Sequence, residues 1–232
     1  MAESVTKDES DRHSRPGTTD PLPERTPEER ASIEVRNGLR QFDRMIELID
    51  QCTGRSGPRF RLRSSTVMEL NRLAVDGLIP APGAFRYVPI EISAASHTPP
   101  DHLDVPREMD DMCDYVQSYW SDRSPIHLSS YVMWRVNWIH PFVDGNGRTS
   151  RVVSYLVLCA KLGYRLPGTK TIPERIAEEK KPYYAALEHA DRAWKQNRVD
   201  VSEMEKLLQS HLEAQLADVR IQAISGNRED GD

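Results

Sequence analysis

The sequence predicts an all-α fold, a helical bundle interrupted by one small β-hairpin. Apolar residues recur at three- and four-residue spacing through most of the 232 residues. Glycines and prolines separate those windows, and one stretch, Pro80 to Pro100, favours extended structure instead.

Residues 1–27 are rich in Ser, Thr, Asp, Glu, Arg and Pro and hold only Val5 and Leu22 as large aliphatics, too little apolar surface to offset ordering entropy. They are expected to form a disordered tail. From Glu28, the residues Ile33, Leu39, Phe42, Met45, Ile46 and Ile49 are spaced as one stripe of a long helix ending before Gly54. Ser64 and Ser65 with Glu69 resemble a capping start for a second helix through Val67, Leu70 and Leu73, closed by Gly77. Pro82 and Gly83 make a turn, and Phe85, Tyr87 and Val88 to Ile92 favour a hairpin. Asp104 is the expected N-cap of a third helix through Met109, Met112, Val116 and Trp120. His127 to His140 is apolar on several sides, so it is expected to lie buried in the middle of the bundle. Val152 to Leu162 continues as a fifth helix, and Gly163 closes it. After Pro173, one helix carries Tyr183, Tyr184, Leu187 and Trp194, and a last one carries Val201, Met204, Leu208, Leu212 and Leu216. The divisions are therefore a tail at 1–27, N-terminal helices at 28–79, a core at 80–200, and a C-terminal helix and tail at 201–232.

Composition excludes several functions. The 31 basic residues are scattered among 36 acidic ones for a net charge of -5, so the basic stripe of a nucleic-acid binder is missing. The three cysteines, Cys52, Cys113 and Cys159, are odd in number and far apart, which signals neither a disulfide framework nor a zinc site. The N-terminus has no apolar core of a signal peptide, and no run approaches the roughly 18 apolar residues of a spanning helix. A cytoplasmic location with no membrane partner is the expectation.

One segment concentrates the chemistry: His140-Pro141-Phe142-Val143-Asp144-Gly145-Asn146-Gly147-Arg148-Thr149-Ser150-Arg151. Pro141 ends the helix that carries His140, and Gly145 and Gly147 allow a turn whose N–H groups face inward. The next helix starts directly afterwards, so its unpaired amides and positive dipole end suit a phosphate chain. Arg148 and Arg151, three residues apart, add two guanidinium forks. Asp144 offers one hard oxygen for magnesium, which commonly takes one carboxylate plus phosphates and waters. His140 is suited to accept a proton near neutral pH. Singly, each residue also reads as a helix end, a turn or a solvated face; their combination within twelve positions points to a site.

The segment matches the signature of the Fic family, HPFx[D/E]GNGRxxR, at every defined position, and the order of elements over roughly Pro80 to Asp200 resembles the Fic core. The resemblance implies a helical bundle with a β-hairpin flap, and transfer of AMP from ATP, with Mg2+, to a hydroxyl side chain of a target protein. It makes His140 the base, Asp144 the metal ligand, Gly145, Asn146, Gly147 and Arg148 the anion nest and Arg151 the contact to the terminal phosphate, with Thr149 and Ser150 in the same nucleotide-binding run. Tyr183 and Tyr184 are similar in placement to a pair that lines the base. Tyr87, Val88, Ile90, Ile92, Ser96 and His97 fall on the flap, where a target protein is expected to add as an extended strand.

Two departures are visible. Related chains often carry Asn eight residues after the first tyrosine of the pair, where Asp191 stands here, so that contact is not carried over. Doc-type relatives, which transfer phosphate, carry Lys at the position of Gly147, so the glycine favours AMP transfer. UMP, phosphocholine or phosphate transfer and AMP removal are the alternative chemistries. A non-catalytic binding module is disfavoured because His140, Asp144, Asn146, Arg148 and Arg151 are all present. Many Fic proteins hold an inhibitory [S/T]xxxE[G/N] helix; the nearest match, Ser32 to Asn37, has Arg36 where Glu is needed. An arginine repels Arg151 instead of pairing with it, so silencing by that glutamate is not expected. The last helix is expected to pack at home, with a homodimer as its other use, and the tail suits a regulatory partner.

Overall fold

The computed structural model describes residues 24–53, 60–92 and 97–229, with side chains as far as 221. Among these, eight helices follow in order: α1 Pro27–Thr53, α2 Ser64–Val75, α3 Val105–Ser118, α4 Pro125–Ile139, α5 Asn146–Leu162, α6 Ile172–Glu178, α7 Lys180–Trp194 and α8 Ser202–Glu229. The fold is all-α, as expected. The described residues contain no strand ladder; Ile92 holds a lone bridge position, and residues 93–96, with Ser96, lie outside the described residues, as does the tail over 1–23.

Helices α4 and α5 pack along one another at the centre, with α3, α7 and α8 against α4 and with α1, α2 and α6 against α5. The near absence of a polar face explains the position of α4: Leu128, Val132, Met133, Trp134, Val136 and Ile139 are all buried. Each such side chain contributes about 1.5–3 kcal/mol on leaving water, so the helix is stable only where every side meets a neighbour. Small hydroxyls bring the pair close, for Ser129 and Ser154 hydrogen-bond across it at 2.8 Å. The helix starts at Pro125, two residues before the expected start, because the Ser124 hydroxyl accepts the His127 amide at 3.0 Å.

Several local expectations are corrected. The buried stripe of α1 is Asn37, Gln41, Met45 and Ile49, while Leu39 is 63% exposed. The Asn37 amide donates to the Asp76 carbonyl at 2.8 Å and the Gln41 amide to that of Leu70 at 3.0 Å. Thus α1 satisfies carbonyls near the C-terminal end of α2 with its amides, and apolar spacing alone does not reveal that contact. Arg63, not Ser64, stands at the N-cap of α2, and the Ser64 hydroxyl donates to Asp110 at 2.6 Å; Asp104 does hold the N-cap position of α3, but its carboxylate pairs with Arg107 at 3.1 Å instead of capping an amide. The helix read after Pro173 is two, because the chain leaves helical geometry at Glu179. A capping box between Thr171 and Glu174 starts the first of them. Helix α8 packs at home through Met204, Leu208 and Gln215, whose side-chain amide donates to Tyr155 at 3.1 Å and to the Pro167 carbonyl at 2.8 Å. No helix of the described residues is long and apolar enough to cross a membrane.

Candidate active site

The site forms where α4 stops and α5 starts. Pro141 brings no amide hydrogen and disfavours helical geometry in the residue before it, so α4 cannot continue. His140 takes the left-handed C-cap position, at φ 49° and ψ 58°, and is 2% exposed. A non-glycine residue there costs about 1–2 kcal/mol, so the surroundings must hold it.

The turn that follows closes on itself. Asn146 accepts the Phe142 amide at 3.0 Å through its side-chain oxygen and donates to the Phe142 carbonyl at 2.9 Å. Phe142 is wholly buried, so this clasp anchors the loop to the core. The Asp144 carboxylate accepts the Gly145 amide at 2.6 Å and lies 3.6 Å from the Arg148 guanidinium. Gly145 has φ 78°, and an added Cβ would come within 2.7 Å of Val75 and 3.0 Å of the Asn71 amide nitrogen. Its glycine is therefore required twice, by angle and by space. Gly147 differs from expectation: it lies in the first turn of α5 with no left-handed angle, and a Cβ there would meet only the Arg151 guanidinium, at 3.5 Å.

Helix α5 begins without a capping side chain. Its first regular bond runs from the Thr149 amide to the Gly145 carbonyl, leaving the amides of Asn146, Gly147 and Arg148 ahead of the helical ladder. These residues border a cavity of about 290 Å³, walled also by His140, Asp144, Arg151, Asn137, Tyr183 and Tyr184. The amides, the positive end of α5 and two guanidinium groups give that cavity the donors and positive charge that suit an anion. The volume sits at the small end of the range for small-molecule sites. Among the described residues no three His, Cys, Asp or Glu side chains gather to hold a metal. Asp144 can therefore supply a single carboxylate, which fits a magnesium ion that completes its shell with phosphates and water.

Of the residues singled out in the sequence, His140, Asp144, Gly145, Asn146, Gly147, Arg148, Arg151, Tyr183 and Tyr184 share this one cavity. Thr149 and Ser150 are fully buried behind it. The Thr149 hydroxyl accepts from Asn71 at 3.3 Å, while that of Ser150 donates to the Gly147 carbonyl at 2.9 Å and meets the Tyr183 hydroxyl at 3.1 Å. Asp191 accepts the Trp134 indole N–H at 2.8 Å and is absent from the cavity wall. Along the expected flap, Tyr87 is 53% exposed and Val88 half-buried, whereas Ile90, Ile92 and His97 turn into the protein. The His97 ring lies against Trp138, and its Nε2 is 2.7 Å from the Trp138 carbonyl.

Five residues had no role assigned to them from the sequence. Asn71 donates to the Asp144 carbonyl at 2.9 Å and accepts the Gly83 amide at 3.2 Å, tying α2 to both turns. The available signal was a polar residue on an apolar helix face. Arg86, a lone charge between Phe85 and Tyr87, is buried beneath the end of α4. Asn137, one turn before His140, donates to the Tyr183 hydroxyl at 2.7 Å and so fixes the ring at the cavity wall. From α1, Glu34 and Val35 line the cavity, and Arg36, the position compared with the inhibitory glutamate, does not.

Residues 61–158 match the model of the Fic/DOC family. The "Protein adenylyltransferase Fic" of Drosophila willistoni is 26% identical over 134 residues, 57% of this chain and 26% of its own. A protein of the same name from Nematostella vectensis is 32% identical over 76 residues, 32% of this chain and 18% of its own. The chain thus spans about a quarter of the length of these relatives, or less. Among solved structures, a Fic family protein from Desulfovibrio desulfuricans superposes with a TM-score of 0.60 at 22% identity, covering 85% of this chain and 55% of that one. A Fic domain containing signaling protein from Bacteroides thetaiotaomicron gives 0.61 at 21%, covering 78% and 70%.

Proposed function

The chain carries a Fic/DOC-family domain, matched over residues 61–158, and from that premise we propose that it is a protein adenylyltransferase using ATP. One observation supports this above all: the imidazole-bearing end of α4 and the uncapped, arginine-flanked start of α5 border the same cavity. The curated relatives named as adenylyltransferases point the same way.

In this reading the amides of residues 146–148 with Arg148 and Arg151 hold the triphosphate, and Asn146 keeps their loop closed on Phe142. A hydroxyl oxygen of the acceptor protein attacks the α-phosphorus, the bond from that phosphorus to the bridging β-phosphate oxygen breaks, and pyrophosphate leaves. His140 takes the hydroxyl proton. When bound, magnesium would neutralise phosphate charge, and Asp144 is the side chain placed to hold it. Tyr183 and Tyr184 also wall the cavity and suit the nucleoside. The acceptor approaches along the segment from Tyr87 to His97, adding by backbone pairing.

The test uses ATP labelled separately at the α and γ positions, with parent chain and His140→Ala. Transfer of α label alone, with pyrophosphate release and loss of labelling in the variant, is the expected result. Retention of γ label would make this a phosphotransferase. Equal labelling by the variant would remove His140 from the chemistry.

A further inference from the structure

We propose that Arg86 is the positioning residue of the candidate base, acting as the C-terminal cap of α4 that holds His140 at its left-handed position. This rests on the adenylyltransferase reading and adds to it a residue outside the signature loop.

Three successive carbonyls, those of Ile139, His140 and Pro141, emerge where α4 breaks, and they carry the negative end of its dipole. The backbone bond of this left-handed cap, from the His140 amide to the Val136 carbonyl at 3.0 Å, serves the turn before and none of these three. Here Pro141 has no amide hydrogen, and the Phe142 amide is given to Asn146. Arg86 does the work instead. Its Nε donates to the His140 carbonyl at 2.9 Å, one terminal nitrogen reaches that of Ile139 at 3.5 Å, and its own amide donates to Pro141 at 2.8 Å. The same guanidinium reaches Val88 at 3.3 Å and Pro100 at 2.5 Å, on either side of residues 93–96. One planar fork therefore ties the end of α4 to Val88, within the segment expected to receive the acceptor, and to Pro100, just beyond it.

The chemistry demands an arginine. Arg86 is 2% exposed, and its charge is met by carbonyl oxygens and by the field of Asp101. Five N–H groups fixed in one plane can serve carbonyls on divergent sides, whereas an ammonium on a flexible stem presents one point. The phosphate nest is held separately, by Asn71 from α2 and by the Asn146 clasp. Nucleotide binding and base placement can thus be perturbed independently.

Arg86→Lys in the full chain is the test, with Mg2+-ATP affinity, transfer rate at saturating ATP against pH, and melting temperature measured together. The expected result is an affinity within about 2-fold of the parent and a rate lowered by about 100-fold, the scale of a 1 Å misplacement of a reacting group. The pH limb assigned to His140 should shift, and Arg86→Ala should recover rate on adding guanidinium. A rate within about 3-fold of the parent with an unchanged pH profile would overturn the proposal. So would parallel losses of affinity, rate and melting temperature, because they mark a residue needed only for folding. If the parent transfers nothing, the functional reading fails, and nuclear magnetic resonance still decides on Arg86. The His140 ring signal, identified by its loss in His140→Ala, should move in Arg86→Lys while the α5 first-turn amides stay; an unmoved ring signal overturns the proposal.

Discussion

The two glycines of the loop should respond in opposite ways to the same added methyl group. In Gly145→Ala the new Cβ is forced into a backbone at φ 78°, within 2.7 Å of the Val75 side chain and 3.0 Å of the Asn71 amide nitrogen. The angle costs about 1–2 kcal/mol and the overpacking about 1–3 kcal/mol, so the sum is about 2–5 kcal/mol. In a protein of this size that lowers the melting temperature by roughly 5–15 °C. In Gly147→Ala the backbone is already helical, and the methyl finds only the Arg151 guanidinium at 3.5 Å, an ordinary contact with a flexible side chain. Alanine is favoured over glycine inside a helix by up to about 1 kcal/mol, less in a first turn, so stability should hold or rise slightly. Its methyl group intrudes on the anion receptor, so Mg2+-ATP affinity should fall while the melting temperature does not. Paired thermal melts and nucleotide titrations of both variants separate the two roles. Equal destabilisation by both substitutions, or none by Gly145→Ala, would refute the assignment of close packing to Gly145 and of ligand clearance to Gly147.

Two further outcomes follow from the charges. Glu34, exposed on α1, lines the same cavity as Arg148 and Arg151 and adds a negative charge to it, so Glu34→Gln should tighten Mg2+-ATP binding at low salt, with the gain fading as salt rises; unchanged affinity in titrations at both salt concentrations would show that the carboxylate lies outside the nucleotide's field. Asp200 is held well below the usual carboxylate range by the Ser202 hydroxyl and amide and by His189. A depressed folded-state pKa gives stability that is present above about pH 4, the unfolded value, and is lost as pH falls below it. Acid melts of Asp200→Asn should therefore lose less stability below pH 4 than those of the parent, and identical acid profiles would dismiss this contribution.

Helix α4 and the cavity loop were legible because each is dictated within a few residues. An all-round apolar run has nowhere to go but the middle of a bundle; Pro141 and Gly145 between the helices constrain the backbone, and two arginines at the start of the next helix supply the charge. The identities of His140, Asp144, Gly145 and Arg151 therefore carried the site before any neighbour was known. The partners of α1 were less legible: Asn37 and Gln41, polar and silent in a hydrophobic pattern, make its buried face because they serve carbonyls of another helix. The Ser64 side chain does not cap α2, and the Asp104 carboxylate, at the N-cap position of α3, turns to Arg107, since a hydroxyl or carboxylate near a helix start goes to whichever donor or acceptor lies closest.

What the sequence determined alone was local: where helices run, where α4 must stop, and which groups could grip an anion. The tertiary structure decided which of those groups share one cavity and what holds them there. It brought Glu34 and Val35 to the wall from more than a hundred positions away, put Asn71 behind the turn, and seated Arg86 under the broken end of α4. Hydrophobic periodicity reports how much surface each segment must bury. It carries no record of which distant amide or guanidinium will meet a stranded carbonyl, because that pairing exists only once the helices are packed.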